Sequence, residues 1–312
     1  MTTGAAQTIK AGPGGTPVRK FATGAWPYFL VAPTLLLIIV FALWPLAQGL
    51  YMSLFVRGLV VIPQQPETQP VFVGFDNFRQ LLTDNDFRTA LFKTVSFVIC
   101  AVPLNLVAAL ALALLLAAQT RVTALVRTVV FFPSMVSMLV VGVTWAWLFG
   151  RNNGLVNYLL SLVGIEPVPW LEQDQMAQIA VVLAWVWGGA GFNMMVLIAG
   201  LTAIPRDLYE AAAIDATRPW RVFTRITLPM LRPSITVVVV LSVIEAFKVY
   251  DLVVALTSGG PGRSTVYLIK NIFDTAFTRP KLAGLAAAQS AVLFVILMTL
   301  TILQMRLSRR GR

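Results

Sequence analysis

The sequence predicts an all-α, polytopic membrane protein with about six transmembrane helices and a structured polar loop between the fourth and fifth. Three observations carry this. The 312 residues are 58% hydrophobic and 12% charged, with a mean hydropathy of +0.80, whereas soluble domains run nearer ~25% charged. Six apolar stretches each reach or exceed the ~20 residues an α-helix needs to cross the hydrocarbon core. The ~10-residue alternating segments of a β-barrel do not occur.

The first stretch, residues 26–55, follows a polar segment and is too long for the apolar region of a signal peptide, so it reads as a retained helix. Trp26, Tyr28 and Trp44 suit interface anchors for it. The others cover 89–118, 125–149, 177–201, 230–256 and 284–307. The chain then divides into an N-terminal tail (1–25), a transmembrane domain (26–307, with its polar loop at 202–229) and a basic C-terminus (308–312).

Basic residues set the orientation. Six spans place both termini and the even-numbered connections on one side. That side holds fourteen Lys/Arg against Asp207, Glu210 and Asp215, while the other holds nine Lys/Arg against eight Asp/Glu. The positive-inside rule puts the termini and the 202–229 loop in the cytoplasm. The pI near 10.4 is therefore a topology signal with anionic lipid as neighbour, and not a sign of a nucleic-acid partner.

Several chemistries are excluded. There is no histidine, and the one cysteine, Cys100, falls within an apolar helix. This leaves no intrachain disulfide, no zinc or iron site built on His/Cys clusters, and no metal or catalytic residue to name. Gly259-Gly260-Pro261-Gly262-Arg263-Ser264-Thr265 has some of the composition of a phosphate loop. It lacks the first glycine at the required spacing and carries Arg where Lys is needed. It reads as a rigid turn. The chain thus has no nucleotide site, and active transport would need an ATPase from elsewhere.

The polar loop is built to fold. Pro205 ends the fourth span, and Asp207 and Glu210 open a short helix whose dipole they complement. Arg206 and Glu210, spaced i,i+4, are placed to pair. Ala211, Ala212 and Ala213 favour the helix and have little bulk, so another surface could approach closely. Pro219 suits the start of a second short helix, with Trp220, Phe223 and Thr227 on one face and Arg221 and Arg225 on another. Pro229 is expected to stop it. A docking surface and an ordinary solvated loop both satisfy this pattern.

Ionisable side chains inside a span suggest function. Glu245, Lys248 and Asp251 recur every three residues in the fifth span, so they are expected on one helical face, with Lys248 neutralising either neighbour. They would form a polar lining for hydroxyl groups or a structural ion pair. Trp185, Trp187 and Asn193 in the fourth span offer aromatic faces and an amide for a sugar ring, or interface anchors. Asn105, after Pro103, is of the same type. Gly188-Gly189-Ala190-Gly191 marks a bend or a close helix contact.

The loop resembles the E-A-A, three residues, G, nine residues, I-x-L-P pattern of the membrane subunits of ATP-driven, binding-protein-dependent importers. Glu210, Ala211, Ala212, Ile226, Leu228 and Pro229 fit at the family spacing, and Ala216 stands where the family has glycine. Alanine disfavours φ > 0. The turn is therefore expected to move to Arg218-Pro219, because a residue before proline leaves the α region. Phe29-Leu30-Val31-Ala32-Pro33, Val73-Gly74-Phe75-Asp76-Asn77-Phe78, Phe132-Pro133, Phe247-Lys248-Val249-Tyr250-Asp251 and Gly259-Gly260-Pro261-Gly262 extend the resemblance over roughly 26–307, toward carbohydrate importer permeases of the maltose and glycerol-3-phosphate type.

The resemblance implies a type I importer permease in a bacterial cytoplasmic (inner) membrane, with both termini cytoplasmic. Its implied partners are a second, homologous permease, a cytoplasmic ATPase dimer holding the ATP and Mg, an extracytoplasmic solute-binding protein and membrane lipid. Glu210, Ala211, Ala212, Asp215, Ala216, Leu228 and Pro229 would form the ATPase-coupling loop. A self-contained secondary transporter or channel is the competing reading; it would usually show an inverted repeat, and none is evident.

Overall fold

The computed structural model describes residues 26–56, 71–279 and 282–310. The predicted tail over 1–25, the anchor side chains of Trp26 and Tyr28, and Arg312 lie outside the described structure. The chain divides into two compact units, Met1–Gln48 and Gly49–Arg312.

The first unit contributes α1 (Trp26–Ile38) and a wide turn over Ile39–Leu43, which leads into α2 (Trp44–Met52). At the wide turn the Trp44 N–H bonds the Ile39 carbonyl, five residues back. Pro45 explains the widening: it lacks an N–H and its ring would strike the carbonyl four residues earlier. Two further wide turns, Phe223–Thr227 and Asp274–Thr278, are likewise followed in sequence by Pro229 and Pro280.

The second unit is organised around two long helices, α4 (Asn85–Leu115) and α8 (Asp174–Thr202). Asp84 caps α4 by accepting the Phe87 N–H at 3.1 Å. The buried positions of α4 include Ala90, Thr94, Phe97, Ala101, Asn105, Ala109 and Ala113, one stripe at the helical repeat. The matching stripe of α8 carries Ala177, Ala180, Ala184, Gly188, Gly191 and Leu197. Small side chains on both faces let the backbones approach, the usual basis of packing where lipid offers no hydrophobic drive.

Around this pair lie α3 (Asp76–Thr83), α5 (Arg121–Phe131), α6 (Met138–Leu148) and α7 (Leu155–Ser161). Next come α9 (Arg206–Ile214), α10 (Pro219–Val222), α11 (Leu228–Met230) and α12 (Arg232–Phe247). The chain closes with α13 (Asp251–Leu256), α14 (Leu268–Phe273) and α15 (Ala283–Arg310). Arg127 donates to the Leu116 and Ala118 carbonyls at 2.8 Å, which satisfies the open end of α4. The Thr94 hydroxyl accepts the Leu268 N–H at 2.8 Å and seats the start of α14.

Among the described residues, four helices are long and apolar enough to cross a membrane: Phe29–Met52, Asn85–Leu115, Asp174–Thr202 and Ala283–Arg306. These are the predicted first, second, fourth and sixth spans. The third and fifth are bent pairs. The predicted span at 125–149 is Arg121–Met135 followed by Met138–Leu148, turned through 102°. A tight 3-10 turn over Phe132–Met135 contains Pro133, and Ser137 caps the new helix by accepting the Leu139 N–H. The predicted span at 230–256 is not one helix either. Its start is set at 65° to the loop segment, between Pro219–Met230 and Arg232–Phe247, and its first helix ends at Phe247 before α13 begins at Asp251.

Pro229 does not stop its helix as expected. Leu228–Met230 continues past it, and the break falls at Leu231, between Pro229 and Pro233. The Gly188-Gly191 run lies inside α8, which continues through it without a break. It serves contact instead: a Cβ at Gly191 would overlap the Val130 carbonyl oxygen and press on Phe131, and one at Gly188 would meet the Met138 thioether.

Candidate functional site: a polar cavity and an exposed helical loop

A cavity of about 280 Å³ opens where both bent spans meet α8. From α4 comes Asn105; from the break after α5, Ser134; from the start of α6, Met138; from α8, Trp185, Gly188, Gly189, Phe192 and Asn193. The far wall is Leu241, Ser242, Glu245, Lys248, Val249, Asp251 and Leu252. Helix interruptions leave backbone and polar side chains facing open space, which a lipid-facing wall would not tolerate.

The polar lining is held in register by amide bonds. The Asn193 side-chain amide donates to the Asn105 carbonyl oxygen at 2.5 Å and to the Ser242 hydroxyl at 3.0 Å. Asn105 in turn donates to the Val186 carbonyl at 3.3 Å. All three side chains are buried, so each satisfied bond avoids the desolvation cost of an orphaned group. Trp185, also buried, packs edge-on against Phe97 with ring centroids 5.7 Å apart.

The three ionisable residues are all brought to the cavity, but not on one helical face. Glu245 lies in the last turn of α12, Lys248 follows the final helical residue, and Asp251 starts α13. Of the two neighbours Lys248 could neutralise, it takes Glu245. Its ammonium lies 3.3 Å from Glu245, and Asp251 has no ion-pair partner within 4 Å among the described residues. The backbone turn after Phe247 separates them.

Trp187 is not part of the cavity. It is 45% exposed and meets Trp145 edge-on at 5.8 Å. Two residues along a helix is a rotation of about 200°, so Trp185 and Trp187 face apart. Residues the sequence reading passed over are Ser134, Met138, Phe192 and Ser242. Ser242 carried a signal: it is a lone hydroxyl in an apolar run, three residues before Glu245 and on its face.

The second element is the loop between α8 and α12. Glu210, Ala211, Ala213, Ile214 and Asp215 are exposed along α9, and Ala212 is buried against the body. Ile214 and Trp220 are 86% and 74% exposed. Arg206 and Glu210 form no ion pair within 4 Å among the described residues, which leaves the Glu210 carboxylate open. The Tyr209 and Thr227 hydroxyls meet at 3.1 Å and tie α9 to the following segment.

The expected displacement of the turn from Ala216 to Arg218-Pro219 is overturned. Ala216 has φ 47°. Its N–H bonds the Ala213 carbonyl at 3.1 Å, and the Thr217 N–H bonds the Ala212 carbonyl at 3.0 Å. This is a complete Schellman cap with alanine in the glycine place. Arg218 is extended before its proline, with ψ 139°, but it does not supply the reversal. Two capping bonds offset the ~1–2 kcal/mol that a left-handed alanine costs.

Residues 105–312 match the family of binding-protein-dependent transport system inner membrane components. The chain belongs to that family. It is the permease of such a transport system, a transport subunit of the inner membrane, which sets aside the secondary-transporter reading. The permease is 34% identical over 299 residues to the trehalose/maltose transport system permease protein MalF of Thermococcus litoralis, covering 95% of this chain and 98% of that one. It is 35% identical over 283 residues to the sn-glycerol-3-phosphate transport system permease protein UgpA of Escherichia coli, covering 90% and 92%. In fold it is similar to a chain of a bacterial ABC transporter that imports the acidic polysaccharide alginate, at a TM-score of 0.78 and 24% identity over 92% of this chain and 96% of that one. The matched segment contains the loop and every residue named here as lining the cavity.

Proposed function

We propose that this permease pairs with a second, homologous permease and that the two enclose the path of a sugar or sugar-like solute, of the di-/oligosaccharide or glycerol-phosphate type. An extracytoplasmic binding protein delivers the solute, and a cytoplasmic ATPase dimer, which holds the ATP and Mg, drives the cycle. The chain itself carries no cofactor. Both termini and the 202–229 loop face the cytoplasm in this reading.

The observation that carries the proposal is the cavity lined by Asn105, Trp185, Asn193, Glu245, Lys248 and Asp251. Carboxylates and amides offer acceptors and donors to hydroxyl groups, and the half-open geometry leaves room for a facing subunit. The trehalose/maltose and sn-glycerol-3-phosphate permeases among its relatives support the solute class.

For coupling, Glu210 with Ala211, Ala212, Asp215 and Ala216 forms a short helix for an ATPase cleft, and Leu228 and Pro229 hold the return segment. The exposed Glu210, Ala211 and Ile214 support this face. The test is to purify the tagged permease from its native membrane. Recovery with a second permease and an ATPase is the expected result; recovery of a transport-active homo-oligomer free of ATPase contradicts it.

A further inference from the structure

Relatives of two chemistries match this permease about equally: 34% identity to the trehalose/maltose permease and 33–35% to glycerol-phosphate permeases. Similarity therefore leaves the charge of the solute open, and the cavity wall bears on it directly. Its ionisable lining is Glu245, Lys248 and Asp251. Lys248 is engaged by Glu245 at 3.3 Å, so the one cation among the described lining residues is turned toward a carboxylate of its own chain. Asp251 is exposed and has no basic partner within 4 Å among the described residues.

The remaining polar lining is neutral, and three of its four amide hydrogens are committed. Asn193 donates to Asn105 and Ser242, and Asn105 donates to Val186. Among the described residues no arginine lines the cavity. A phosphate monoester carries about −1.5 to −2 charges at pH 7 and is held by bidentate guanidinium groups or clustered donors. Here it would meet an unpaired carboxylate instead. Asp251 also sits in the first turn of α13, so the positive end of that helix is already complemented by the protein's own acid. A neutral polyhydroxyl solute meets no such penalty, because its hydroxyls donate to Asp251 and Glu245.

We infer that the wall this permease contributes is an anion filter, in which Asp251, with Glu245 holding Lys248 in check, admits neutral sugars and rejects phosphate monoesters. The inference rests on the reading of the cavity as the solute path and adds a second selection step after the binding protein. Rejection works by an unfavourable charge placed against the wrong solute.

The test uses the purified permease–ATPase complex without the binding protein, so that only the membrane path is sampled. Saturation-transfer NMR is recorded on an equimolar mixture of trehalose, maltose and sn-glycerol 3-phosphate. Transfer to at least one disaccharide, with the phosphate ester at least ~10-fold weaker, is expected, as one like-charge contact is worth roughly a decade in affinity. Asp251→Asn, which removes the charge and keeps an acceptor oxygen, should raise the phosphate signal relative to the disaccharide signal in the same mixture by at least about threefold. A phosphate signal equal to the sugars', or one unchanged by Asp251→Asn, overturns the filter and leaves the path reading standing. Transfer to none of the three, with ATP hydrolysis intact, overturns the path reading and the filter with it.

Discussion

The Asn193 side chain donates to the Asn105 carbonyl oxygen at 2.5 Å across 88 residues of sequence, and its second amide hydrogen reaches Ser242 at 3.0 Å. One residue of α8 thereby fixes α4 and α12 around the cavity. In lipid such interhelical bonds average ~0.6 kcal/mol and reach ~1.7. Replacing Asn193 by Leu leaves two buried acceptors unmatched, so its effect should fall at the upper end.

Asn193→Leu is expected to destabilise the complex by about 1–2 kcal/mol, read as a lowered thermal unfolding midpoint in detergent. The Asn105→Leu/Asn193→Leu pair should lose less than the sum of the single changes, since the two share one bond. Strict additivity would show that the bond carries no coupling.

Ala216 tests the cap of the loop. Ala216→Gly should preserve transport and shift local stability by no more than about 1 kcal/mol, because relief of the left-handed strain offsets added chain entropy. Ala216→Val should fray the end of α9, as a β-branched residue at positive φ is a strained outlier. Hydrogen exchange at the Ala216 and Thr217 amides would report both.

Gly191 tests close packing. A side chain there would displace the α5 break from α8, where the Phe192 N–H also reaches the Ser134 hydroxyl at 3.0 Å. Gly191→Leu should cost about 3 kcal/mol, the upper range for overpacking, and should reduce recovery of folded permease. Normal recovery and an unchanged melting profile would contradict the contact.

Glu210 tests coupling. Glu210→Lys should abolish solute uptake while the permease still folds and the binding protein still captures solute. Uptake within about twofold of the unmodified transporter would remove Glu210 from the coupling role.

Much of the architecture was legible because lipid imposes one simple requirement, an apolar run of sufficient length. The Asn85–Leu115 and Asp174–Thr202 helices satisfy it without interruption. The third and fifth spans misled because apolarity continues through their breaks: Val129 to Met135 and Phe247 to Val253 are largely apolar whether straight or bent. Pro133 marked the first break. At the second, Lys248 and Tyr250 gave only a weak signal, since both also suit a helix. At the cavity, Trp185 and Asn193 line the wall, whereas Trp187 has the same chemistry but lies about 200° around the helix from Trp185, an angle that composition does not carry. At Ala216 an intrinsic preference of ~1–2 kcal/mol is outweighed by two capping hydrogen bonds that only the folded loop supplies.

The most direct test of the account is uptake by proteoliposomes containing this permease, its companion permease and the ATPase, with the binding protein and a labelled sugar outside. Tight dependence of uptake on ATP, on the binding protein and on Asn193 is the predicted result. Uptake by this chain alone, indifferent to ATP and to the binding protein, would contradict it.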